Sequence, residues 1–135
     1  MTPVDQRVFE DGKGDCLRAC VASILDLSCD DVPNFAEADY IESLCLWLGL
    51  RGVRFVQVRF EKAEHCSKAW YGYSDQPVLL WGKSPRVGAD GKEKGHAVVG
   101  RAMGYGFRII HDPHPSREGL SGGPYGVMWI DWSAA

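Results

Sequence analysis

The stretch GDCLRACVASILDL, residues 14–27, sets a cysteine at the mouth of an apolar segment. Residues 15–27 are expected to form a helix. Asp15 can cap its first free N–H groups, and Leu17, Cys20, Val21, Ile24, Leu25 and Leu27 spread over an arc wide enough for burial on most sides. A thiol in a first helical turn meets the positive end of the helix dipole and unpaired N–H groups. Both favour the thiolate, the nucleophilic form, while the charge of Asp15 opposes it. A free cysteine also packs well as a small buried apolar residue, so Cys16 needs partners before it carries chemistry.

Upstream, residues 1–14 are polar and read as a loop or extended arm. Downstream, Ser28–Phe35 carries turn chemistry in Asp30, Asp31 and Pro33. Residues 36–48 (AEADYIESLCLWL) follow as a second amphipathic helix, with Gly49 as its expected left-handed stop. The period then shortens. Val53–Phe60, the apolar run VLLW at 78–81, and the segments 96–102, 107–111 and 125–132 are expected to be strands. Residues 83–95, rich in Gly and Lys, read as a hairpin tip or loop that can also serve as a lid. Helices first and strands later predict an α+β fold, with an antiparallel sheet packed on the N-terminal helix. No repeat or linker divides the chain, so residues 1–135 are expected to form a single domain.

Composition agrees. The 135 residues are 45% hydrophobic and 24% charged, a globular balance. The net charge is −3 with scattered Lys and Arg, which gives no basic stripe for nucleic acid. No stretch approaches the roughly 20 apolar residues of a membrane span, and the polar N-terminus has no signal-peptide core. A cytoplasmic protein with no membrane partner is the expectation. Five cysteines, at 16, 20, 29, 45 and 66, make an odd count without a Cys-x-x-Cys pair, which argues for reduced thiols over a disulfide framework or a zinc site.

Two further blocks supply partners for Cys16. In GHAVVG (95–100), His96 opens an apolar strand, where an imidazole can act as base for a thiol. In IIHDPHPS (109–116), Asp112 follows the next strand and can bond the second nitrogen of His96, fixing its tautomer. Each residue has a plainer reading: a satisfied core His for His96, and an Asp-Pro turn for Asp112.

The order Cys, His, Asp in these contexts resembles the papain-like cysteine peptidase superfamily. The blocks GDCLRACVASILDL, VPNF, GHAVVG and HDPHPSREGL are closest to small bacterial and phage proteins related to the double-glycine, bacteriocin-leader peptidase domains. The resemblance implies a papain-like fold, with the central helix carrying Cys16 and the sheet carrying His96 and Asp112. It also implies a thiol hydrolase acting on a peptide, isopeptide or other amide. The family's oxyanion-hole Gln stands six residues before the Cys; here that position is Glu10, which has no N–H to donate. Gln6 can replace it if the Gly12–Gly14 loop bulges, with the Cys16 N–H as second donor. A degenerate module that binds a peptide or partner protein is the alternative that Glu10 keeps open.

Other features carry less. Cys20, one turn after Cys16, reads as core more readily than as a resolving thiol; Cys29 reads as loop and Cys45 as core. His65-Cys66 is not a dyad, since chain neighbours diverge in a strand. His114 and Trp81 are expected to line the substrate site, and Trp70, Tyr71 and Tyr73 can border a groove. Trp47 and Trp129 read as core. His111, Asp112 and His114 can be weighed as metal ligands, but no Cys or Glu joins them, and no metal or cofactor is expected. Residues 116–126 (SREGLSGGPYG) read as a loop.

Overall fold

The computed structural model describes residues 1–9, 14–35, 40–60, 76–103 and 106–131. In chain order it contains helix α1 (Cys16–Leu25), a 3-10 turn (Cys29–Asp31), helix α2 (Tyr40–Leu50), and strands β1 (Arg54–Arg59), β2 (Pro77–Val87), β3 (Glu93–Met103), β4 (Gly106–His111) and β5 (Gly126–Asp131). The strands form one sheet in the order β1-β5-β2-β3-β4, with every adjacent pair antiparallel. The α+β class and the antiparallel sheet against the N-terminal helix are as expected from the sequence. No described helix is long and apolar enough to cross a membrane.

The apolar arc of α1 does what its spacing dictates: residues Ala19 to Ile24 are all buried. The helix ends on Asp26 in the left-handed conformation (φ 56), and Leu27 N–H returns to Ala22 O at 2.9 Å. Asp tolerates that conformation better than most residues. In α2, Leu44 and Leu48 stack one turn apart and point inward. Cys45, expected in the core, is exposed because it lies about 100° round the helix from Leu44. Gly49, expected as the stop, is helical; the left-handed turn comes at Gly52 (φ 73).

Residues 83–95 are mostly strand. β2 and β3 continue past the apolar run, so the hairpin tip is confined to Gly88–Lys92, closed by Gly88 N–H to Lys92 O at 3.0 Å. A backbone ladder needs no apolar side chains, and the Lys83–Glu93 ion pair (2.9 Å) crosses it. That part of the ladder left no apolar signal.

Alternation divides the core into two faces. Leu79, Ala97, Val99 and Met128 meet Cys20, Val21, Ile24, Leu44 and Leu48. Val78, Leu80, Val98, Ala102 and Val127 form the opposite face, against Phe60, Phe107 and Leu120. Trp47 is only partly buried, edge-on to Phe35 at 6.0 Å with Arg51 over its ring. The side chain of Trp129 lies outside the described residues.

One irregularity lies next to the site. Between β3 and β4 the register steps from Gly100↔Ile109 to Val99↔His111, so β4 carries one extra residue. Such a bulge bends the strand and interrupts the ladder, and β4 ends just beyond it, at His111, one residue before Asp112. Gly100 sits beside this step; a Cβ there would strike the Leu80 side chain and come within 3.1 Å of Arg108 O. Gly100→Ala is therefore expected to destabilise the fold by about 1–3 kcal/mol, read as a lower urea midpoint at an unchanged m-value.

Candidate active site

The HDPHPSREGL block forms the loop after β4, and its sequence is spent on one carboxylate. Asp112 is 4% exposed, and a buried charge is costly unless every lone pair is used. Oδ1 accepts from His96 Nε2 at 2.7 Å and from His114 N–H at 2.9 Å; Oδ2 accepts from Gly119 N–H at 2.7 Å. Arg117 donates to the Asp112 carbonyl and pairs with Asp5 at 2.7 and 2.9 Å. The loop reaches this shape through positive φ at Arg117 (56) and Gly119 (74), the latter a position that suits glycine. Burial pushes the Asp112 carboxyl up, but the His96 bond and the two backbone N–H groups outweigh it and hold it at about 2.

His96 was expected as the first residue of its strand. It is the fourth of β3, opposite Gly82, and buried. With Nε2 committed to Asp112, the ring nitrogen left for Cys16 is Nδ1. Burial disfavours the imidazolium, yet the bond to Asp112 and the hydrogen bond and charge of Cys16 raise its pKa to about 9. Cys16 is the first residue of α1 and partly exposed. The structure thus brings Cys16 and His96 to one cleft, with Asp112 bonded to His96.

Asp15 does not cap α1 with its side chain. Fully buried, it accepts Arg7 N–H (2.8 Å) and Val8 N–H (2.9 Å) with Oδ1, while its own carbonyl takes the first helical bond from Ala19. The helix start is thereby stapled to the N-terminal arm. Gln6 N–H bonds Pro113 O at 3.0 Å, which ties the same arm to the Asp112 loop. Gln6 is buried and lines the cleft that holds Cys16 and His96. Its Nε2 gives one N–H to Val8 O at 3.1 Å; among the described residues its second N–H has no acceptor and the buried Oε1 has no donor. Glu10 and Gly12 lie outside the described residues.

Trp81 and His114 line this cleft as expected. His114 Nδ1 accepts the Ser116 N–H at 3.0 Å, which places the proton of the neutral ring on Nε2. Burial and the charge of Arg86 hold its pKa below the ordinary value. Its ring stands edge-on to Phe9 and His96, with centroids 5.2 and 6.4 Å away. His111, Asp112 and His114 do not converge as metal ligands: His111 Nε2 turns to Val4 O at 2.9 Å, and no group of three such side chains gathers among the described residues. Cys20 is wholly buried, and burial pushes its thiol well up. Cys29, expected in a loop, is buried beside Asp15 Oδ2 at 3.9 Å. His65, Cys66, Trp70, Tyr71 and Tyr73 lie outside the described residues.

The sequence reading missed Asp5, Arg117 and Gly119. Only the polar density of SREG hinted at them, because Arg117 meets Asp5 across 112 residues and the Gly119 bond to Asp112 depends on how the loop folds back. Comparison with family models, curated proteins and solved structures finds no match to this chain.

The pair sets a pH signature. A His whose folded pKa is raised from 6.5 to about 9 adds stability below pH 6.5 that is lost as pH rises through 9. An Asp lowered from 3.8 to about 2 adds stability above 3.8 that is lost as pH falls through 2. The Tm difference between wild type and Asp112→Asn is expected to be widest between those two limits, at pH 3.8 to 6.5, and to narrow toward pH 9. A gap that widens steadily up to pH 9 would contradict the pairing.

Proposed function

We propose that this chain is a papain-like thiol hydrolase that cleaves an amide, with Cys16 as nucleophile. The observation that carries the reading is His96, buried, bonded to the Asp112 carboxylate and lining one cleft with Cys16. A helix that starts on Cys16 and packs on an antiparallel sheet bearing His96 supports the papain-like assignment.

The chemistry follows from the contacts. An imidazolium beside sulfur favours the thiolate. The Cys16 sulfur attacks the amide carbon, and the π electrons move onto oxygen. The Cys16 backbone N–H and the free Nε2 N–H of Gln6 receive that oxyanion. His96 gives its Nδ1 proton to the departing nitrogen, the C–N bond breaks, and a thioester remains. Water then attacks the thioester and loses a proton to His96; the C–S bond breaks, releasing the acid and restoring the thiol. Asp112 stays ionised throughout and fixes the ring orientation.

Iodoacetamide tests the nucleophile. Cys16, located by peptide mass, is expected to alkylate at least about tenfold faster than glutathione at pH 7, and His96→Ala should remove that advantage. Reactivity no greater than glutathione sinks the reading. Once a substrate is in hand, Gln6→Ala should lower kcat by about 10²–10³; unchanged turnover would take Gln6 out of the mechanism.

A further inference from the structure

The lining of the Cys16 cleft narrows the substrate class, on the footing of the thiol hydrolase reading. The cleft has a volume of about 570 Å³, within the range of cavities that enclose small ligands. Phe35, Ile41, Leu79, Trp81 and Met128 form its apolar wall. Three large apolar side chains that remain exposed, Phe9 (51%), Tyr40 (45%) and Val87 (66%), come from three separate segments and stand on the same cleft. Single exposed apolar residues are ordinary; several gathered round one cavity mark a surface that something covers.

Apart from the Cys16–His96 pair, the charges that the described lining contributes are Arg86 and Lys94, in a chain of net charge −3. They come from the two strands of the β2–β3 hairpin. The two strands pair irregularly there, between Lys83↔Gly95 and Val87↔Glu93, and both side chains line the one cleft. Like charges gathered at one cleft repel, and an anion between them relieves that repulsion. Their present partners are weak competitors. Arg86 donates to Ser116 Oγ at 3.0 Å and stands 3.7 Å from Glu118, and Lys94 stands 3.5 Å from Asp90. Both acids are half exposed, where ion pairs contribute little.

We propose that the substrate is an acidic, apolar peptide segment: its acyl residue carries a bulky apolar side chain that packs by Trp81, and a neighbouring carboxylate sits at Arg86 and Lys94. Three chloromethyl ketones that alkylate a thiol with loss of chloride test this, with iodoacetamide as reference: acetyl-Phe, acetyl-Ala and succinyl-Phe. On wild-type protein the Phe ketone should react with Cys16 at least about tenfold faster than the Ala ketone. The succinyl form should gain a further threefold to tenfold, roughly, at low salt and lose it near about 0.5 M NaCl. In the double variant Arg86→Gln, Lys94→Gln the succinyl-to-acetyl ratio should fall to about one, a ratio that a general loss of folded protein does not move. Rapid iodoacetamide reaction with equal rates for all three ketones overturns the substrate proposal and leaves the nucleophile standing. No reaction with any reagent beyond that of glutathione overturns both.

Discussion

The hydrogen bond between Asp112 and His96, 2.7 Å long and almost sealed from solvent, is the constraint on which the rest of the molecule is arranged. An ionised carboxylate inside a protein is tolerated only when its oxygens are occupied. Here His96, His114 N–H and Gly119 N–H occupy them, and two residues with positive φ bend the chain so that both amides point inward. The bond forms just beyond the irregular end of β4, where one extra residue interrupts the ladder to β3. Gly100, at the step, lets Leu80 and the β4 backbone close in.

The second support is the N-terminal arm. Asp15 holds Arg7 and Val8, Ser23 holds Val4, and the Asp112 loop holds Asp5 and Gln6 through Arg117 and Pro113. The arm thus bridges the helix that carries the thiol and the loop that carries the acid. Had Asp15 capped α1, its carboxylate would have taken up the N–H groups nearest Cys16. Turned instead toward the arm, it leaves the helix start open to the cleft and anchors the chain just after Gln6.

Much of this was legible in the sequence where the signal is local. The apolar arc of residues 17–27 marked α1, alternation at 53–60 marked β1, and the Asp112-Pro113 step marked the end of β4. Cys16, His96 and Asp112 could be picked out because each stands at the edge of an apolar element. What stayed hidden was non-local. The continuation of β2 and β3 through Lys83–Val87 and Glu93–Gly95 rests on backbone pairing, which polar residues make as well as apolar ones. The role of Asp15 depended on which N–H groups the fold brings near: its own helix or the arm eight residues upstream. Arg117 meets Asp5 across almost the whole chain. Gly49 and Cys45 misled for a simpler reason. Propensity and composition ignore the helical angle that fixes what a residue faces.

Among the described residues the buried Oε1 of Gln6 has no donor, which bears on what this side chain is held for. A buried acceptor without a donor costs about 1–3 kcal/mol, and a chain that needed Gln6 only for packing would be relieved by an apolar residue of the same shape. The amide is oriented: Val8 O receives one N–H, which tells nitrogen from oxygen at this side chain. The main-chain N–H of the same residue is committed to Pro113 O, so the backbone cannot swing to find Oε1 a partner. In a residue that lines the cleft with Cys16, the remaining N–H would, on the proposed thiol chemistry, be a donor fixed in advance of the charge, which is what an oxyanion gains most from. Under that proposal the cost borne at Oε1 is that of keeping the amide in this orientation.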